Sequence, residues 1–205
     1  SGTPALAVGA GNVTVIVDET ADLADAAEKI AASKTFDNAT SCSSENALIV
    51  VDAIYDDFIA ALAAEGGATL PADKEQHVLD RLWQKGHLSR FALAQDAPKL
   101  LDALELTGDV PEGTKFVAVP TEGIGPEHKL SGEKLSLVVA LYRAADFADA
   151  KRIANEIMAF QGAGHSVHQG ESPLQMPKIP VLTALDEQGL FYDWIQFSRL
   201  VCSRH

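Results

Sequence analysis

The chain has 205 residues, 47% of them hydrophobic, and sets 16 basic against 29 acidic side chains for a formal charge of −13. That is apolar mass enough for one sizeable core, while so acidic a chain is a poor partner for nucleic acid or an anionic membrane surface. No apolar run approaches a membrane span, no charged start leads into a signal segment, and two distant cysteines, Cys42 and Cys202, give no disulfide framework, which suits a reducing, cytoplasmic setting.

Residues 1–11 are small and glycine-rich and read as a loop, followed by the β-branched run Val13–Val17, a buried strand. Asp18, Glu19 and Thr20 offer capping chemistry for a helix over 21–33, with Leu23, Ala26, Ala27 and Ile30 along its inner face. After a loop around Cys42, residues 47–51 form a second strand. A helix over 54–65 buries Ile54, Phe58, Ile59 and Leu62 and stops at Gly66-Gly67. Pro71 and Asp73 open another helix, with Val78, Leu79, Leu82 and Trp83 inward and Gly86 at its end; a third helical piece covers 97–106. Strands follow at 115–119, closed by Pro120, and at 137–142. Asp146 then caps a helix with Phe147, Ala150, Ile153, Ile157 and Met158 on one face.

Strands alternating with helices predict an α/β fold, a mostly parallel sheet with helices on both faces. The polar, turn-rich segment 121–134 lies between two strands, where open α/β sheets commonly hold ligands. From His168 onward the character changes. Three prolines in residues 173–180 precede an aromatic cluster of Phe191, Tyr192, Trp194 and Phe197, so 168–205 reads as a separate tail with a short helix over 187–200. The chain begins without Met, as though cut from something longer.

The stretch the chain is organised around is 34–51, KTFDNATSCSSENALIVV. It places Cys42 in a hydroxyl-rich loop between a helix and a strand. A thiol there can be reached by substrate, and neighbouring backbone N–H groups can stabilise a thiolate and a developing oxyanion. A lone cysteine near a strand can also be a small buried hydrophobe. Ser41, Ser43, Ser44, Glu45 and Asn46 favour an open setting, expected at the carboxyl end of the sheet, with Cys42 more reactive than Cys202. His165 and His168 form an H-x-x-H at a glycine-rich turn with no third ligand nearby, so no metal site is expected. GAGN at 9–12 is too short for a dinucleotide fingerprint, and no strand–GxGxxG–helix unit occurs in the chain.

FDNATSCSSENALIVVDAIYD, together with GTPALAVGAGNVTVIVDETADL, GPEHKLSGEKLSLVVALYRAADFADA and QGAGHS, resembles the catalytic domain of the CoA-acylating aldehyde dehydrogenases over residues 1–167. The resemblance implies that Cys42 attacks an aldehyde, that NAD or NADP takes the hydride, and that coenzyme A accepts the acyl group. It places Glu133 at the nicotinamide-side ribose, Gly9 and Gly11 beside the cofactor, and Asn38, Ser41 and His165 as supporting contacts near the substrate. It also implies a homo-oligomeric full-length parent. The family usually has Pro where this chain has Leu137. Hydrolytic relatives carry a Glu where this chain has Val8, which cannot take a proton. Transfer to a thiol, which ionises far more readily than water, is favoured over hydrolysis unless another carboxylate such as Glu45 serves as base. The wording of the Cys42 loop is most similar to sulfoacetaldehyde dehydrogenases, with acetaldehyde or another short aldehyde as the alternative. Two further readings stay open: a catalytic domain that is inactive without a cofactor domain, and a cysteine-based thioester hydrolase.

Overall fold

The computed structural model describes residues 11–161. Their apolar runs form β1 (Val13–Val17) and β2 (Glu45–Val51), with little exposure on either face, as strands inside a parallel sheet require. Between them α1 (Leu23–Thr35) turns Ala26, Ala27, Ile30 and Ala31 to the core. Its cap is Asp22, whose side chain accepts from the Asp25 N–H. Asp18, expected in that role, instead closes the preceding turn by accepting from the backbone and hydroxyl of Thr20.

After β2, α2 (Tyr55–Ala64) buries Phe58 and Leu62, and the chain turns at Gly66, where φ is +91°. It enters β3 (Gly67–Thr69), a strand too short to stand out in the sequence. The next helix, α3 (Glu75–Leu82), buries Val78 and Leu82. Trp83, expected on that helix, starts β4 (Trp83–Gln84), which pairs antiparallel with β5 (His87–Leu88). Lys85 and Gly86, both at positive φ, make the two-residue turn between them. Then come α4 (Ala97–Ala103), β6 (Phe116–Pro120), β7 (Val138–Ala144) and α5 (Phe147–Phe160). As expected, Asp146 caps α5, accepting from the Asp149 N–H, and Ala150, Ile153 and Ile157 are buried.

The main sheet has the order β1-β2-β7-β6-β3, and every neighbouring pair is parallel. The chain crosses the sheet in one direction from β1 through β2 to β3 and returns through β6 to β7. Right-handed crossovers therefore put the outward and returning helices on opposite faces. On one face α1 packs against α2, and on the other α5 lies over β1, β2 and β7. The α/β architecture read from the sequence is the one observed. The expected boundary at 167–168 and the helix over 187–200 lie outside the described residues. Among the described residues no helix is long and apolar enough to cross a membrane.

The core centres on β2, where Leu48, Ile49 and Val50 are wholly enclosed. Ile49→Ala is expected to cost about 2–5 kcal/mol, the usual range for emptying a sealed aliphatic site. A fall in denaturant midpoint at unchanged slope measures it.

Candidate active site

In a parallel sheet every segment that precedes a strand emerges at the amino-terminal end. Gly11, Cys42 and Glu133 lie just ahead of β1, β2 and β7, which are neighbours in the sheet. All three therefore gather at the amino-terminal edge. The expectation of a carboxyl-end location for Cys42 is overturned. The rule behind it concerns loops that follow strands, whereas the Cys42 loop leads into one.

Cys42 is a free, exposed thiol. Ser41 and Ser43 flank it with their hydroxyls 2.8 Å apart, and the Ser44 N–H donates to the Ser41 carbonyl to close the turn. Gly11 backs this loop. A Cβ there would stand 2.6 Å from the Cys42 carbonyl oxygen, so only glycine fits without displacing backbone. The Gly11 N–H in turn donates to Glu133 Oε1 at 3.2 Å. Cys42 and Glu133, distant in sequence, thus meet on the two sides of Gly11. The Glu133 N–H donates to Gln161 Oε1 at 2.9 Å, which fixes the turn from α5.

Asn38 belongs to a left-handed run, with φ of 48°, 53° and 59° at Asp37, Asn38 and Ala39. Non-glycine residues adopt this conformation only at a cost, and runs of it are rarer still. The Asn38 amide donates to the Ala94 carbonyl at 3.4 Å, and the Ala94 N–H donates to Leu135 at 2.9 Å. Ala94 and Leu135 also have positive φ. Asn38 shares a cleft of about 700 Å³ with Thr35, Ala97, Leu101, Val110 and Leu137; Cys42 does not line it. Gly9 and His165 lie outside the described residues. Among the described residues no group of three or more His, Cys, Asp or Glu side chains is placed to hold a metal ion.

The polar flank of Cys42 is not open throughout, as the sequence suggested. Ser44, Glu45 and Asn46 are buried. With them lie two buried lysines that the sequence reading passed over. Lys34, on the inner face of α1, donates to the Glu45 carbonyl at 2.6 Å. Lys134 donates to the carbonyls of Leu130 and Gly132 at 2.6 and 2.7 Å. Burial pulls the Lys34 ammonium down to about 8, opposed by the charge of Glu45. Burial also holds Lys134 well below the usual lysine range, with the positive charge of Lys34 adding to it. The Glu45 carboxyl is pushed up by its own burial. At 3% exposure it is enclosed beneath the loop, not placed to serve water at the surface. The signal for Lys34 was present in the sequence: it continues the series Ala27, Ile30 and Ala31 at helical spacing.

Fold and site together define an α/β domain that presents an exposed cysteine loop and a glutamate turn, linked through Gly11, at one end of a parallel sheet. A profile of the aldehyde dehydrogenase family matches residues 2–164, and the chain belongs to that family. It is 46% identical over 166 residues to a sulfoacetaldehyde dehydrogenase (acylating) of Cupriavidus necator, a match covering 81% of this chain and 34% of the relative. It is 40% identical over 167 residues to the bifunctional aldehyde-alcohol dehydrogenase of Escherichia coli, covering 81% and 18%. Among solved structures, an acetylating aldehyde dehydrogenase from Geobacillus thermoglucosidasius superposes with a TM-score of 0.72 at 31% identity, covering 79% of this chain and 35% of that one. A Rhodopseudomonas palustris propionaldehyde dehydrogenase with bound propionyl-CoA gives 0.66 at 28% identity, covering 80% and 35%. The chain spans about a third of the length of the acylating sulfoacetaldehyde dehydrogenase.

Two outcomes follow from this geometry. Between about pH 8 and 10.5 the unfolded chain keeps a proton on Lys34 that the folded chain has released, so raising the pH across that window should favour the fold. Denaturant melts at pH 8 and 10 should show the rise, and Lys34→Met should reduce it. Gly11→Ala should displace the loop and change the rate at which iodoacetamide labels Cys42, whereas Gly86→Ala, in the hairpin turn with open space around it, should leave that rate unchanged.

Proposed function

We propose that this chain forms the thiol-bearing part of a CoA-acylating, NAD(P)-dependent aldehyde dehydrogenase, with Cys42 as nucleophile. The observation that carries the reading is the exposed Cys42, whose backbone carbonyl packs against Gly11 while the Gly11 N–H donates to the Glu133 carboxylate. The Cys42 thiolate attacks the aldehyde carbon. The oxyanion so formed is assigned to the Cys42 backbone N–H as donor, in a loop whose carbonyl packs against Gly11. A bound nicotinamide supplies the hydride acceptor. The thioester then left on Cys42 is released by the thiol of coenzyme A. Overall, aldehyde, CoA thiol and oxidised nicotinamide become acyl-CoA, reduced nicotinamide and a proton.

The residues present fit the nicotinamide half of this reaction. Glu133 is half-buried with Oε1 held by the Gly11 N–H, which leaves Oε2 to meet a ribose hydroxyl. Gly9 is assigned with Gly11 to the cofactor side, and Asn38, Ser41 and His165 to supporting contacts around the substrate. An enclosed Glu45 suits thiol transfer, because coenzyme A needs less base assistance than water. The two acylating sulfoacetaldehyde dehydrogenases, 46% and 41% identical to this chain, support sulfoacetaldehyde as substrate. A short unsubstituted aldehyde is the alternative, in line with the acetylating and propionaldehyde enzymes. We place the enzyme in the cytoplasm, where a free thiol stays reduced, with a homo-oligomeric working form by family resemblance alone.

The 205-residue chain carries no strand–GxGxxG–helix unit, so by itself it should exchange acyl groups but form little NAD(P)H. Incubation with acetyl-CoA without nucleotide should add an acetyl group to Cys42, detected by mass spectrometry and lost in Cys42→Ala. Failure to acylate Cys42 overturns the nucleophile assignment. Steady acetyl-CoA hydrolysis without nucleotide supports the thioester hydrolase instead. Aldehyde-dependent NAD(P)H formation at ordinary enzyme rates by this chain alone refutes the expected need for a separate nucleotide site.

A further inference from the structure

Asn46 occupies an unusual place in the sheet. Val13 faces Glu45 across the β1–β2 ladder, but Thr14 faces Ala47, so Asn46 has no partner residue on β1. Such slips insert an extra residue, re-aim its side chain, and recur beside active sites. Asn46 is 4% exposed, and both ends of its side-chain amide are in use. Nδ2 donates to the Gly11 carbonyl at 3.0 Å and to the Ser44 carbonyl at 3.3 Å. Oδ1 accepts from the Lys134 N–H at 3.0 Å.

These bonds close a ring. Gly11 donates to Glu133, Glu133 is bonded covalently to Lys134, Lys134 donates to Asn46, and Asn46 donates back to Gly11. One amide thereby ties together the segments preceding β1, β2 and β7. It holds Gly11, against which the Cys42 carbonyl packs, and it holds the turn that aims Glu133.

We propose that Asn46 is the positioning residue that couples the Cys42 loop to the Glu133 turn. It sets where the thiol stands relative to the carboxylate without touching substrate or cofactor. The coupling role rests on the reading of Cys42 as nucleophile and Glu133 as the ribose contact. The geometry it enforces can be measured apart from that reading.

The test is a double-mutant cycle on the full 205-residue chain, with the rate of Cys42 alkylation by iodoacetamide as readout. Asn46→Asp keeps the shape and loses the donor; Glu133→Gln weakens the acceptor for Gly11. Each single change should alter the alkylation rate by about fivefold, and the double variant should match one single variant instead of multiplying the two, as for residues in one network. A merely destabilising change at Asn46 would multiply with Glu133→Gln, and that result overturns the proposal. If Asn46→Asp does not fold, hydrogen exchange on the unmodified chain decides. The Gly11 and Lys134 amides should be protected and open together, and free exchange at either overturns the ring. Absence of Cys42 acylation by acetyl-CoA, with the cycle still non-additive, would instead discard the catalytic reading and leave the coupling standing.

Discussion

Parallel strand direction is the constraint from which the candidate site follows. Adjacent strands lie roughly 4.8 Å apart, so the entry points of three neighbouring strands fall within about 10 Å of one another. Here the neighbours are β1, β2 and β7, and their entering segments carry Gly11, Cys42 and Glu133. Sequence separation becomes irrelevant, because the crossovers through β3 and β6 are completed before the chain returns to pair β7 with β2. The return of β7 to the middle of the sheet sets the acidic turn next to the thiol loop.

That convergence carries an energetic burden. Three segments packed at one sheet end bury polar backbone and side chains that water would otherwise serve. Lys34 and Lys134 answer part of the need by donating to the carbonyls of Glu45, Leu130 and Gly132. Among the described residues Thr14 Oγ1, Ser44 Oγ, Glu45 Oε2 and Ser136 Oγ are buried with no hydrogen-bond partner from the protein. A buried polar atom left without any partner costs about 1–3 kcal/mol, and a left-handed Ala39 costs roughly 1–2 kcal/mol, whereas Asp37 and Asn38 tolerate that conformation better. A protein tolerates this only where a core offsets it, and the sealed Leu48, Ile49 and Val50 lie on the same strand. Replacing the buried lysines by apolar side chains of like size need not weaken the fold. What such a replacement would lose is the fixed course of three loop backbones.

The architecture was legible because its strands are continuous apolar runs and its helices carry a clear inner face. Val13–Val17 and the Asp146 cap were read to the residue. Elements with too few residues for any period were not. Gly67–Thr69 has three residues, and the β4–β5 hairpin has two per strand with Trp83 continuing the apolar face of α3. The site was half legible. Chemistry marks a cysteine among hydroxyls, and family resemblance marks Glu133. Neither marks Asn46, because an asparagine after a serine-rich loop looks like solvent-facing turn chemistry. Its burial follows from the ladder slip, which depends on how β1 and β2 align and cannot be seen in either strand alone.

Under the proposed reading of Cys42 as nucleophile, one residue must meet two opposed demands at this sheet end. A nucleophile needs open approach, whereas oxyanion donors work only when their positions are fixed beforehand. At Cys42 the demands are divided between side chain and backbone. The thiol stands in water beside Ser41 and Ser43, and the carbonyl of the same residue lies against Gly11, with no room for even a methyl group. Gly11 can fill that place because its own N–H and carbonyl are held by Glu133 and Asn46. Burial therefore increases sharply across a few residues, from exposed Ser43 to Asn46 at 4%. The exposed thiol loop thus stands over a buried polar layer, and under the proposed coupling that layer is what holds Cys42 in register with Glu133.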